Sequence, residues 1–449
     1  MSIMSGERKD IGLPEAVSIG IGGMVGGGIF AVLGLAVQLA GGGTPVAFLI
    51  AGLVAIVTSY SYARLSVTYP SAGGTVKFIL RGYGNGLFSG TMNLLIWISY
   101  IIMLSLYAYA FGSYGSTFFS ADLQPLMKHV LITVVVLVLM LLNIMKANVV
   151  GKAEDLIVAI KLAILVLFIA VGLLSVDAAS LSPSTWSPAL ALVSGGFIIF
   201  VAYEGFELIA NTAQDVREPE RTLPKAFYIS VGFVAVLYTL IAIVAIGNLP
   251  VDQIVSASDY ALAEAATPFL GQFGFVLIAI AALLSTASAI NATFYGTARL
   301  SYIIAKQGEL PRFLEKEIWN RHLEGLFLTA GITLVIANTL DLRDISTMGS
   351  AGFLLIFAAV NYANVKLWKE TKSNRLIPAV GTVLCLAAVG FLVYDTILTA
   401  PLNLLVLAAM LGIALGIELL YCRIRGREIR IEDREEEPRV MYRTEKNEN

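Results

Sequence analysis

The sequence predicts an all-α membrane protein of twelve transmembrane helices: a five-plus-five inverted repeat, two further helices at the C-terminal end, and breaks in the first and sixth helices. Three observations lead there. Hydrophobic residues make up 57% of the 449 and charged residues only 14%, whereas an average soluble chain carries about 25% charged residues; mean hydropathy is +0.80. The apolar residues fall into blocks of the ~20 residues that cross a bilayer as one helix. Two blocks, five spans apart, combine glycine with polar or acidic residues at mid-helix.

In chain order the expected spans are 11–40, 43–66, 86–113, 129–148, 153–174, 188–214, 225–247, 272–305, 325–341, 345–367, 376–396 and 400–422. Met1–Asp10 is polar and leads into the first span without the short apolar core and small-residue cleavage site of a signal peptide, so that span is expected to be retained. The first span holds Gly20, Gly22, Gly23, Gly26, Gly27 and Gly28, and each glycine weakens a helix by up to about 1 kcal/mol against alanine. The sixth carries Tyr203-Glu204-Gly205-Phe206-Glu207 between two apolar runs. Because an odd number of crossings inverts the second copy, breaks at corresponding places five spans apart mark an inverted repeat. Repeat one then covers about 11–174, repeat two about 188–367, and helices 376–422 lie outside it, all within one transmembrane domain, 1–423. Loops are short except an outer segment Pro250–Gly271 and a cytoplasmic segment Gln307–Glu324; residues 424–449 read as a charged, solvated cytoplasmic tail.

The basic residues orient the chain. With the N-terminus in the cytoplasm, 27 of the 30 lysines and arginines fall on the cytoplasmic side and only Lys128 and Arg343 outside, as the positive-inside rule requires. Both termini are then cytoplasmic in a multi-pass protein of the cell membrane. The remaining basic residue, Lys161, lies in the middle of the fifth span.

A break inside a bilayer leaves backbone N–H and C=O groups that must face a cavity or a ligand. At Gly26-Gly27-Gly28 the N–H groups opening the second half-helix present the positive end of the helix dipole, which suits a carboxylate. Carbonyls ending the first half-helices, near Val25 and from Phe200 to Ala202, suit an ammonium group or a cation. The two breaks together describe a pocket for a zwitterion. The plainer reading of Gly22/Gly26 and Gly23/Gly27 is small-residue helix packing, and the matching break at Gly205 weighs against it. A Cβ at Gly26 or Gly28 is expected to crowd the approach of a bound carboxylate.

Mid-membrane charges are functional candidates because burying one costs at least ~2.5–3.5 kcal/mol. Glu204 and Glu207 sit one turn apart at the second break, as substrate ligands, proton carriers or paired structural acids. Lys161 has only the more cytoplasmic Glu154 and Asp155 as acids within reach in its own span; the plain reading is an ion pair with another helix. Glu15, near the cytoplasmic mouth, reads as interfacial. Cys385 and Cys422 show no ligand spacing and read as packing residues, and His129 and His322 lie near span ends. No metal or nucleophile constellation points to an enzyme or a cofactor, and no basic patch with interleaved aromatics points to nucleic acid. Symmetric broken helices also argue against a channel, whose selectivity comes from a ring of filter residues.

These motifs resemble the amino acid–polyamine–organocation superfamily, which shares the fold of the bacterial leucine transporter, and within it the proton-coupled amino acid transporters. The resemblance runs from about Leu13 to Arg423. It rests on Gly26-Gly27-Gly28-Ile29-Phe30, Tyr69-Pro70-Ser71-Ala72-Gly73-Gly74, Tyr203-Glu204-Gly205-Phe206-Glu207 with Pro219 and Pro224, Ser288-Ala289-Ile290-Asn291-Ala292, and Lys306-Gln307-Gly308-Glu309-Leu310-Pro311. It implies that the amides of Gly26, Gly27 and Gly28 hold the substrate carboxylate and that carbonyls of Phe200, Ala202 and Glu204 help hold its amine. The sodium site of some relatives maps onto carbonyls of Gly22 and Val25 and hydroxyls near Ser285 and Ser288. Other relatives place a fifth-helix lysine there, at the position of Lys161, which favours protons over sodium, with Glu207 as a further coupling candidate. Val201 replaces the tryptophan gate of members with narrow specificity. The function implied is secondary active transport of an L-amino acid with a proton; a cationic amino acid or polyamine carrier, or an exchanger, is the alternative.

Overall fold

The computed structural model describes residues 11–145, 150–306, 323–399, 401 and 403–425. Met1–Asp10, Lys146, most of the Gln307–Glu324 segment with its Gly308-Glu309-Leu310-Pro311 stretch, and the tail from Gly426 lie outside the described residues.

The first span is two helices, α1 (Leu13–Met24) and α2 (Gly28–Ala40), bent by 47° at the glycine break. Pro14 stands in the first turn of α1, and the Glu15 carboxylate accepts the Gly12 N–H at 2.9 Å, so this acid caps a helix. Then follow α3 (Thr44–Thr68), α4 (Gly74–Tyr83), α5 (Leu87–Ser116), α6 (Gln124–Met145) and α7 (Val150–Gly172). The sixth span is α8 (Ala189–Ile198) continued by two 3-10 segments, Ile199–Tyr203 and Phe206–Asp215. Beyond it lie α9 (Pro219–Asn248), α10 (Val251–Ser256), α11 (Ala261–Lys306), α12 (Leu323–Thr339), α13 (Leu342–Lys366), α14 (Leu376–Thr399) and α15 (Asn403–Arg425). Among the described residues, nine helices are long and apolar enough to cross a membrane and the bent first pair makes ten. The shorter apolar stretches Glu324–Thr339 and Leu404–Leu420 occupy the places of the ninth and twelfth expected spans.

Two segments read as loops are helical. Between the second and third spans, α4 buries Val76, Phe78, Ile79 and Leu80 and holds the basic Lys77 and Arg81; it is too short to cross a bilayer. The segment Pro250–Gly271 contains α10 and the first turns of α11, which passes Gly271 at φ 62°, ψ −158°, a left-handed kink that glycine tolerates.

The first and sixth spans are zipped together at both ends. At one end the Arg217 N–H donates to the Ile11 carbonyl at 2.8 Å, and the Ile11 N–H to Asp215 at 3.2 Å. At the opposite end the Gly42 N–H donates to Thr185 at 3.1 Å and the Ser187 N–H to Ala40 at 3.2 Å. The start of one span therefore meets the end of the other, and the two breaks are brought level. Around them α5 and α13 are central, each 83% buried along its most apolar stretch, whereas α6 is 22% and α14 28% buried and lie at the periphery. The last two helices pack from outside, α14 on α13 and α15 on α5.

Two polar clusters join helices away from the breaks. In one, Lys128 pairs with Asp259 at 2.6 Å and lies 3.7 Å from the centre of the Tyr109 ring, while Tyr109 and Ser113 hydroxyls donate to the same carboxylate at 3.2 and 3.4 Å. In the other, the Tyr69 hydroxyl donates to Glu370, and the Arg81 guanidinium stacks 5.4 Å from the Tyr69 ring. Partial burial and the neighbouring Glu370 carboxylate push the Tyr69 phenol up to about 12, so it stays a proton donor throughout the physiological range.

Candidate functional site

The site is built where the two breaks touch. At the first, α1 makes its last bond from the Val25 N–H to Ile21 at 2.8 Å, and α2 its first from Ala31 to Gly27 at 2.9 Å. Among the described residues the N–H groups of Gly26, Gly27, Gly28, Ile29 and Phe30 make no hydrogen bond, as expected for a helix N-terminus. The run of unbonded amides therefore extends two residues beyond the three glycines singled out from sequence.

At the second break, the 3-10 turn Ile199–Tyr203 ends at Glu204, whose backbone is extended, and Gly205 follows at φ 114°. This left-handed conformation is why the position is glycine. A Cβ on Gly205 would also lie 2.5 Å from the Gly23 carbonyl carbon, and one on Gly23 would lie 2.7 Å from the Gly205 oxygen, so the two breaks meet backbone to backbone. Glu204 and Glu207 are accordingly not on one regular helical turn, as the spacing suggested; the Gly205 turn lies between them in the chain, yet their side chains still interact with each other. The Glu207 carboxylate folds back to accept the Gly205 N–H at 2.9 Å and the Tyr100 hydroxyl at 3.1 Å. Glu204, 4% exposed, accepts the Tyr107 hydroxyl at 3.3 Å.

The carbonyls are held from neighbouring helices. Tyr238 of α9 places its hydroxyl 2.7 Å from the Met24 carbonyl and 3.3 Å from that of Ala202, bridging the two broken spans. Ser346 and Ser350 of α13 donate to the Ile198 carbonyl at 3.1 and 2.6 Å, and Ser350 accepts the Val201 N–H at 2.9 Å. Val201 turns its side chain toward Gly349, and the Phe200 ring packs edge-on against Phe357 at 5.9 Å. Ser285 of α11 reaches the Val25 carbonyl at 3.0 Å and also that of Gly26. Ser288, expected beside it, makes no hydrogen bond to these carbonyls among the described residues.

Lys161 of α7 is 1% exposed, and its Nζ donates to the Gly22 carbonyl at 3.2 Å. The lysine and Ser285 thus approach the end of α1 from two helices. Gly22, Val25, Lys161 and Ser285 are brought together, whereas the side chains of Glu154 and Asp155 lie outside the described residues.

One expectation changes its physical basis. A Cβ on Gly28 would lie 2.8 Å from the Cα of Ala202, so Gly28 faces the sixth span. Enlarging it drives the broken spans apart instead of only crowding a bound carboxylate. Sequence reasoning passed over Tyr100, Tyr107, Tyr238, Ser346 and Ser350. A signal was present, because tyrosines within apolar spans need a partner for each hydroxyl, but the partners lie on other helices.

The described residues contain no group of His, Cys, Asp and Glu able to hold a metal ion. The chemistry offered is unbonded amides, engaged carbonyls, two buried carboxyls and one buried amine.

Comparison with known proteins accounts for nearly the whole chain. Residues 11–415 match the amino acid permease family. An uncharacterized protein of Methanocaldococcus jannaschii is 33% identical over 94% of this chain and 97% of its own length. The inner membrane transport protein YbaT of Escherichia coli is 36% identical over 86% and 90%. The branched-chain amino acid permease BcaP of Bacillus subtilis is 22% identical over 82% and 83%. This multi-pass membrane protein is a permease and not an enzyme, and it belongs to the amino acid permease family of the amino acid–polyamine–organocation superfamily.

Proposed function

We propose that this permease is a proton-coupled symporter of L-amino acids, with its termini in the cytoplasm of the cell whose membrane it spans. The observation that carries the coupling is Lys161, a buried amine donating to the Gly22 carbonyl 3.2 Å away at the end of the first half-helix. An ammonium group there draws α7 to the first span as a bound cation would; a neutral amine holds it less strongly, so protonation biases two conformations by its differential contacts. Substrate is assigned to the unbonded amides from Gly26 to Phe30 for its carboxylate and to the sixth-span break for its amine. Alternating access then moves the zipped broken spans relative to the surrounding helices.

The test is uptake by the full chain in proteoliposomes under imposed gradients. An inward proton gradient of one pH unit is expected to drive about tenfold accumulation for one coupled proton, and a sodium gradient at constant pH none. A wild-type protein that requires sodium would overturn the coupling.

The Glu204 carboxyl at the second break, which accepts the Tyr107 hydroxyl at 3.3 Å, gives one further reading, a carrier with a preference for cationic substrates when that group is ionised and faces the pocket. In Glu204→Gln the ratio of arginine or lysine binding to alanine or leucine binding is expected to fall by about tenfold, the scale set by the 1.5–3 kcal/mol of a hydrogen bond to a charged group. A ratio that does not move assigns the carboxyl a structural role beside Tyr107.

A further inference from the structure

At one end of the bundle two stretches far apart in sequence meet: residues 60–88, which close α3, form α4 and open α5, and residues 359–376, which close α13 and open α14. Together they carry seven basic residues and one acid, Glu370, and that acid already accepts the Tyr69 hydroxyl. The structure joins them into one face. The Tyr60 hydroxyl accepts the Asn374 N–H at 2.7 Å, and the Arg64 guanidinium lies 5.5 Å from the centre of the Tyr60 ring. The Tyr83 hydroxyl donates to the Ala359 carbonyl at 2.9 Å. Its ring centre is 4.4 Å from that of Phe88, 6.3 Å from that of Tyr362 and 4.6 Å from the Lys366 amine.

The link from α13 to α14 is pinned from beneath. Thr371 and Ser373, both buried, donate to the Asn364 side chain at 2.8 and 3.0 Å, and Asn364 donates to Ser61 of α3 at 3.4 Å. Lys369, Lys372 and Arg375 are left exposed on this fixed loop. Phe88 and Tyr362 are 46% and 47% exposed, at the ends of apolar helices, where aromatic rings sit at the level of lipid headgroups. Cations alone suit any anion. Cations beside exposed rings at a span end suit an amphiphile whose charged group lies at that depth.

We propose that this face binds the headgroup of an anionic phospholipid, with Lys366 and Lys369 on its phosphate and Phe88 and Tyr362 against the start of its acyl chains. The pinned loop presents its cations already ordered, which lowers the cost of binding. The proposal is independent of the reading of the two breaks.

The experiment titrates the full chain in detergent with phosphatidylglycerol or with phosphatidylcholine of the same acyl chains, and counts bound lipid by native mass spectrometry. A lysine or arginine at the membrane surface strengthens binding of an anionic lipid about fivefold, so two of them predict a preference for phosphatidylglycerol of at least about 25-fold. Lys366→Gln/Lys369→Gln is expected to lower that preference by about 25-fold, whereas Arg221→Gln/Lys225→Gln, at the start of α9, keeps it. Tyr362→Ser removes a ring and no charge and is expected to weaken both lipids. Equal binding of the two lipids by the wild type, an unchanged preference in the Lys366/Lys369 variant, or an equal loss in the α9 control overturns the site. Unchanged binding by Tyr362→Ser overturns the part assigned to the rings. Displacement of phosphatidylglycerol by inorganic phosphate beyond that by chloride at equal ionic strength gives the face to a free anion and overturns the lipid.

Discussion

Replacing Lys161 with alanine is expected to abolish proton-driven accumulation, bringing the internal-to-external ratio from about ten at one pH unit to about one, while counterflow continues. The expectation follows from position. Lys161 is 1% exposed on α7 and its amine reaches the Gly22 carbonyl at the end of α1, next to the carbonyls of Val25 and Gly26 that Ser285 engages. Among the described residues of this cluster the amine is the group whose charge changes with a proton, and its removal leaves the amides from Gly26 to Phe30 and the carboxyl of Glu204 intact. Lys161→Arg separates charge from titration, because a guanidinium is not deprotonated in proteins. It is expected to bind substrate yet turn over slowly, held in the state that a permanent cation stabilises. Uptake measured against imposed pH gradients checks both variants, and an alanine variant that still concentrates substrate would place the coupling proton elsewhere.

Gly28→Val is expected to reduce uptake to below about a tenth of wild type, on the scale of the 1–3 kcal/mol that forced overpacking typically costs. The added Cβ would lie 2.8 Å from the Ala202 Cα and 3.2 Å from its carbonyl oxygen, and backbone atoms cannot turn aside as a flexible side chain does. The strain falls where the Tyr238 hydroxyl bridges Met24 and Ala202, so the relative placement of the two breaks is what is lost. Gly232→Ala on α9 is the matching control, since a Cβ there meets nothing within 4 Å and is expected to leave uptake unchanged. Uptake normalised to protein in the membrane distinguishes the two. Normal transport by Gly28→Val would remove the broken spans from the site.

The amino acid sequence by itself determined the class of the molecule, the places of its spans and the two breaks. A bilayer core demands ~20 apolar residues per helical crossing and hydrogen-bonded backbone throughout. Apolar length, glycine clusters and stranded charges such as Glu204, Glu207 and Lys161 are therefore visible locally, one segment at a time. The helices α4 and α10 were not legible, because segments of 10 and 6 residues are shorter than the length that signals a span. The choice between Ser285 and Ser288 was not legible either: residues three apart share a helix face, and only the axial position of α11 against α1 brings Ser285 to Val25 and Gly26. Tyr107 and Tyr238 illustrate the same limit, since each hydroxyl finds its partner on a helix far away in sequence. Only the tertiary structure decided these pairings, because they depend on the rotation and depth at which packed helices settle against one another, quantities that no single segment encodes.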